Sequence, residues 1–376
     1  MSKNLMLLLA IIVQVFILFC TPSINSDLWY YFDLSQKMVS GLLPYVDFKF
    51  EYPPLAILPI WIPGIFKADA QGYIFLFRFI FCAFNIGFLL FINQKLTNHL
   101  FYNLFYKRFI FFYSLLSILM APLFYDRLDL FFGFMLFGSL FYANEKSLFW
   151  TLFSIPYKLI SAIFLPFYGL SFLRNKNLDL KKLFKWCVLP IGGLLAIILY
   201  LFQFKFLSFL SYHNLRGIQI ESTWATLHFL MQILNDQKMI IEYSFGAQHL
   251  KDVADWIVYL ANYSVVGFLS LLFIIYYFKK NPLPEIFITA LLVFICFSKV
   301  LSPQYFIWLI PLLIFYIEEK IELALFVLIA ALSNYVFIHY GDLMAQASWA
   351  WWSISIRNAA LMCWVVMRFR NHLKLN

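Results

Sequence analysis

Between Ser26 and Pro54 the chain carries four carboxylates, Asp27, Asp33, Asp47 and Glu51, directly after a first apolar run and directly before a second. Three cations stand at the ends of later apolar runs: Arg127 in Tyr125-Asp126-Arg127-Leu128-Asp129, Lys158 in Ile155-Pro156-Tyr157-Lys158-Leu159, and Lys299 in Ser298-Lys299-Val300. A carboxylate at a membrane face can accept a proton or hold a hard cation. Arg can clamp a phosphate through two parallel hydrogen bonds, and Lys offers a compact point charge. The simpler reading of a Lys at a membrane edge is that it snorkels to lipid headgroups. Three cations on the face that also bears the carboxylates strengthen the functional one, because ionisable groups at membrane depth are costly.

The elements that must position these groups follow from periodicity. Ser26 to Gly41 has the plan of a helix: Ser26 or Asp27 can cap its first turn, Leu28, Phe32, Ser35 and Val39 share a face, and Gly41 is a stop. Such a helix lies along the membrane interface. Asp27 therefore has two roles open to it, capping and chemistry. Asp33 stands four residues before Lys37, the spacing of a surface ion pair.

The rest of the composition sets the class. Of 376 residues 63% are hydrophobic and 12% charged, with mean hydropathy +0.81. A soluble domain is about half apolar and a quarter charged, so the chain is read as an all-α, multi-pass membrane protein of one domain over 1–376. Twelve apolar spans are expected, near 4–21, 70–93, 107–124, 128–143, 147–157, 159–173, 183–205, 254–278, 284–298, 303–317, 321–338 and 349–368. A single helix over 147–173 is the alternative to a break at Pro156. Eleven crossings would put the basic cluster at 174–185 outside, against the positive-inside rule. Twelve keep it inside, with both termini cytoplasmic and the carboxylates external. The first run reads as an uncleaved helix rather than a signal peptide, because Thr21-Pro22-Ser23 is a poor cleavage site.

Two external loops result, 22–69 and 206–253. Segment 53–66, with four prolines, is expected to be interfacial or re-entrant. In the second loop Trp224, Leu227, Met231 and Leu234 recur at helical spacing. The net charge of +9 sits in short turns, which excludes a nucleic-acid partner in favour of membrane topology. The five Cys have no metal-type spacing, and His213, His228, His249 and His339 form no ligand pair, so no metal cluster and no disulfide are expected. The chain has no Walker loop and no dinucleotide fingerprint, which argues against ATP and nucleotide sugars as direct substrates.

Gly41-Leu42-Leu43-Pro44-Tyr45-Val46-Asp47-Phe48 followed by Glu51-Tyr52-Pro53-Pro54-Leu55 resembles the first external loop of the GT-C glycosyltransferases, nearest the polyprenyl-phosphate-mannose-dependent mannosyltransferases. Arg127-Leu128-Asp129-Leu130 is similar to the Arg-x-Asp-Leu of that group. Tyr157-Lys158-Leu159 through Leu165-Pro166 is similar to its Lys-Leu-Tyr-Pro…Leu-Pro segment, with Ser161 where the family usually has Pro. Arg216-Gly217-Ile218-Gln219-Ile220-Glu221-Ser222 and Lys299-Val300-Leu301-Ser302-Pro303-Gln304-Tyr305 are similar to two further motifs. The resemblance covers most of the chain up to about residue 310.

It implies transfer of a hexose, mannose foremost, from a polyprenyl-phosphate donor to a lipid or glycan acceptor at the external face of the cell membrane, with inversion. It implies Asp27 as general base, and Lys158, Lys299 and Arg127 at the donor phosphate. Glu51, Tyr52, Asp129, Arg216, Glu221, Gln304 and Tyr305 would contact substrate. Arg216 and Glu221 have the alternative of pairing with other charges in their loop, and Tyr305 that of an interfacial aromatic. The group is generally metal-independent, so no cofactor is expected; a divalent ion on Asp27 is the exception left open. Two other classes remain: a transporter or flippase of lipid-linked sugars, and a non-catalytic subunit of a glycan-assembly complex.

Overall fold

In hydrocarbon every backbone amide must find its partner within its own segment, which leaves long apolar runs little choice but the helix. The computed structural model describes residues 3–21, 27–96, 102–174, 179–279 and 281–374, and these are helical nearly throughout. Ser26 and part of the basic cluster, 175–178, lie outside the described residues, as does the side chain of His213. Five described helices are long and apolar enough to cross a membrane: Lys3–Cys20, Ala70–Lys95, Leu180–Phe202, Asp255–Lys279 and Lys320–Ile338. Shorter apolar helices, among them Asp129–Phe141 and Leu283–Phe297, accompany them. The chain is a helical membrane protein.

Proline stands at several of the breaks between helices. The run expected as one or two spans over 147–173 breaks: a helix over Asn144–Ser154 ends before Pro156, and the Tyr157 and Lys158 amides donate back to the Ser154 carbonyl at 3.1 and 2.8 Å. A 3-10 stretch, Leu159–Phe164, and a helix, Leu165–Arg174, follow. The segment expected as a span over 303–317 is no α-helix but two 3-10 stretches, Pro303–Leu309 and Pro311–Phe315. Pro311 has no amide hydrogen to donate and its ring crowds the preceding turn, which disfavours it in an α-helix interior. Segment 53–66 becomes a 3-10 turn, Pro54–Ala56, and a short helix, Ile57–Gly64.

The described chain divides into two compact units: 1–161 with 179–209 and 306–320, and 162–178 with 210–305 and 321–376. In the first, buried polar side chains tie the helices together. Asn85 donates to Gln14 and to the Tyr125 hydroxyl, both at 2.9 Å, and Tyr125 donates to Gln14 at 2.8 Å. Arg78 grips Asp126 through two bonds, 2.5 and 2.8 Å, and donates to the Thr21 carbonyl at 3.0 Å. Polar groups this deep must be satisfied, so their pairing fixes which helices meet. Together they anchor the loop 125–129.

Gly138 lets the Asn144–Ser154 helix pack closely. A Cβ there would stand 2.6 Å from the Trp150 ring, whereas one at Gly87 would meet nothing within 4 Å. Gly138→Ala is therefore expected to cost about 1–3 kcal/mol through overpacking. Thermal unfolding in detergent should register the loss for Gly138→Ala and little change for Gly87→Ala.

The second unit is cross-tied by two buried ion pairs, Arg357 with Glu221 and Arg368 with Glu322. Its described strands are a hairpin, Ile241–Ser244 with Ala247–Leu250. The hairpin has no Asn-Gly signal: Phe245 and Gly246 both take positive φ (49° and 70°), and Phe245 stands where Asn is the usual choice.

Candidate functional site

The 26–54 segment folds as a helix over Leu28–Val39, closed by Gly41 at φ 94°. The Gly41 amide donates to the Met38 carbonyl and the Leu42 amide to the Lys37 carbonyl, both at 3.1 Å, a left-handed stop that suits glycine. The buried face is Leu28, Tyr31, Leu34, Ser35 and Met38 rather than the expected Leu28, Phe32, Ser35 and Val39. The helix is rotated because Tyr31 turns inward onto Phe77 and Tyr52, and because Gly64 admits Ser35 closely. Asp33 and Lys37 pair at 2.8 Å with both side chains exposed.

Asp27 stands at the N-cap position, yet its side chain accepts no capping hydrogen bond. Its backbone is already helical (φ −72°, ψ −4°), which turns the carboxylate away from the first-turn amides. The capping role considered for it is thus not the one it takes. The Asp27 carboxylate pairs instead with Arg127. The Asp27 side chain is 40% exposed and that of Arg127 8%, so the guanidinium backs the carboxylate from the protein side. Burial pulls the Arg127 guanidinium down to about 10, and Asp129 opposes that fall.

Asp129 opens the Asp129–Phe141 helix, where a carboxylate suits the positive end of the helix. It accepts from Lys158 Nζ and from Trp308 Nε1, each at 2.5 Å. Lys158 Nζ also lies 4.6 Å from the Trp308 ring centroid, a cation–π distance. The Asp129 side chain is 2% exposed, whereas that of Lys158 is 26% exposed. Two contacts hold this arrangement. The Tyr157 hydroxyl donates to the Leu128 carbonyl at 2.8 Å, and the Leu55 amide to the Pro156 carbonyl at 2.8 Å. So residues 27, 51–55, 127–129 and 156–158 converge in the first unit.

Glu51 and Tyr52 complete the group. Burial first, then the Glu51 charge, raises the phenol of Tyr30 above its ordinary value; burial, then Asp129 and Glu51 among other contributions, does the same for Tyr31. Tyr52 is raised by burial and by its hydroxyl neighbour Tyr31. These phenols stay protonated and present hydroxyls beside the carboxylates. Trp308 is a member that residue spacing missed. Its signal was a Trp inside an apolar run, since a buried indole N–H needs an acceptor.

The remaining candidates belong to the second unit. Segment 218–220 runs beside the hairpin: the Gln219 amide donates to the Lys299 carbonyl at 3.0 Å, and the Leu250 amide to the Ile218 carbonyl at 2.9 Å. That brings Arg216 and Lys299 to one pocket of about 310 Å³, shared with Asp252 and Asn262. Arg216 also donates to the Phe245 carbonyl at 3.0 Å. Burial lowers the Lys299 ammonium, and burial with the Arg216 charge keeps His249 neutral. Glu221 is buried and pairs outside its own loop: Arg357, on the Ser348–Lys374 helix, reaches its carboxylate at 2.9 Å. Burial raises the Glu221 carboxyl, with Arg357 opposing the rise. Gln304 and Tyr305 are half-buried on a 3-10 stretch, where Tyr305 packs on Phe294.

Comparison with protein-family models, with curated proteins and with solved structures returns no match.

Proposed function

We propose that the chain is a GT-C-type glycosyltransferase that moves a hexose, mannose foremost, from a polyprenyl-phosphate carrier to a lipid or glycan acceptor. The observation that carries this reading is the convergence of a half-exposed carboxylate, Asp27, with a buried guanidinium behind it and a partly exposed ammonium, Lys158, in the same group. Asp27 takes the proton of the acceptor hydroxyl. The acceptor oxygen then forms a bond to the anomeric carbon as the bond to the phosphate oxygen breaks, and the electron pair leaves with the phosphate. Lys158 balances that charge, held in place by Asp129 and Trp308. Arg127 acts on Asp27, pairing with its carboxylate and holding it in place, rather than on the donor. Arg216 and Lys299 offer cations for anionic or hydroxyl groups of substrate at their own pocket.

The topology that goes with this reading has twelve crossings, both termini cytoplasmic and the carboxylate loop outside the cell membrane. The count keeps 303–317 as a crossing in 3-10 form. From Pro303 to Phe315 such a chain extends about 26 Å at about 2.0 Å per residue, near the roughly 30 Å of a hydrocarbon core. A transporter of lipid-linked sugars would want mid-span charges lining a path. Arg78 and Arg357 are instead held by Asp126 and Glu221.

Membranes carrying the chain should incorporate radiolabel from polyprenyl-phosphate-mannose into lipid or glycan fractions, and membranes lacking it should not. Lys158→Gln is expected to lower that rate by about 10²–10³-fold, the usual cost of losing one preorganised group that stabilises developing negative charge. No incorporation from any polyprenyl-phosphate sugar would overturn the reading.

A further inference from the structure

The Ala70–Leu96, Asp129–Phe141 and Asn144–Ser154 helices of the first unit frame an open groove of about 510 Å³. Its walls are the rings of Phe84, Phe88, Phe91, Phe137, Tyr142 and Trp150. Gly87 lies along it with open space over its Cα, and Gly138 admits the Trp150 ring. The volume suits a ligand cleft, commonly about 300–1,000 Å³, but the lining has almost nothing to hydrogen-bond a sugar. What marks its occupant is the charge at one end. Phe91 packs on Phe141, next in the chain to Tyr142, with ring centroids 5.5 Å apart. At that end Lys95 Nζ stands 5.7 Å from the Phe91 ring, and Lys146 Nζ stands 6.0 Å from the Tyr142 ring and 4.9 Å from that of Trp186. Both lysines are exposed, and among the described residues neither is in an ion pair. An aromatic groove closed by two cations complements an amphiphile with an anionic head.

We propose that this groove holds a hydrocarbon chain of an anionic phospholipid whose headgroup phosphate rests on Lys95 and Lys146. The site is separate in its residues from the sugar-transfer reading and needs only that the chain sit in a bilayer. The test uses the full chain in phosphatidylcholine vesicles doped with phosphatidylglycerol or phosphatidylcholine brominated on its acyl chains. The quenching that belongs to Trp150 is taken as the difference between the wild type and Trp150→Phe. Brominated phosphatidylglycerol should occupy the groove in preference to brominated phosphatidylcholine by about five-fold per lysine. Lys95→Gln with Lys146→Gln should erase the preference, and Gly87→Leu should reduce Trp150 quenching by both lipids. Equal quenching by the two lipids in the wild type, or a preference that survives loss of both lysines, would overturn the proposal. Should Gly87→Leu fail to fold, the two lysine changes, both at exposed positions, decide the matter alone.

Discussion

Arg357→Met is expected to unfold at a clearly lower temperature than the wild type, with a loss of about 3–5 kcal/mol, and adding Glu221→Gln is expected to restore most of it. The reason is burial. The Arg357 side chain is fully buried and that of Glu221 is 4% exposed. Arg357 donates to the Glu221 carboxylate at 2.9 Å and also to its backbone carbonyl, and Asn358 donates to that carbonyl at 3.2 Å and to the Thr226 hydroxyl at 2.9 Å. The Ser348–Lys374 helix, which carries Arg357 and Asn358, thereby fixes the segment that carries Arg216. Removing Arg357 alone leaves a carboxylate without its counter-charge and without water. Removing both charges leaves only polar and apolar groups, which cost far less. A loss of this size is a large share of the roughly 5–15 kcal/mol that holds a typical protein folded. Thermal unfolding in detergent, followed by Trp fluorescence, checks it; equal loss in the single and double variants would mean the pair is not what ties the segment.

Asp27→Asn is expected to lower sugar transfer by about 10²–10⁴-fold, the usual contribution of a general base. The substitution is chosen for what it keeps. Asn retains a side-chain oxygen for Arg127 to donate to, so the loop should hold its place, and it removes the charge that takes the proton. Asp33 is the internal comparison. It lies on the same helix and is exposed, and its pair with Lys37 is of a kind worth about 0.2–0.5 kcal/mol. Asp33→Asn should leave both transfer and stability near wild type. The two carboxylates differ in what stands behind them. Asp33 has an exposed surface lysine, and Asp27 has a buried guanidinium.

Much of the helical plan was legible in residue spacing, and the long-range pairings were not. The Leu28–Val39 helix could be read because Asp27 and Gly41 bracket it. Its buried face could not, because Tyr31 is both apolar ring and polar hydroxyl and went inward where Phe32 was expected to. The break near Pro156 was one of two readings, preferred because it keeps the basic cluster at 174–185 inside, and the Asp33–Lys37 pair could be read because it is local. Asp129 with Trp308 and Glu221 with Arg357 are contacts 179 and 136 residues apart in the chain. No local spacing encodes them; they follow from which helices pack, and packing among apolar helices is chosen by shape. For the same reason the sequence marked Arg127 as a cation at a membrane edge but not its closeness to Asp27.

The most direct measurement compares membranes making the wild type, Asp27→Asn and Asp33→Asn at matched abundance, supplied with radiolabelled polyprenyl-phosphate-mannose. Label entering lipid or glycan with the wild type and Asp33→Asn, and lost with Asp27→Asn, is the result this account predicts. Transfer that persists undiminished in Asp27→Asn would contradict it.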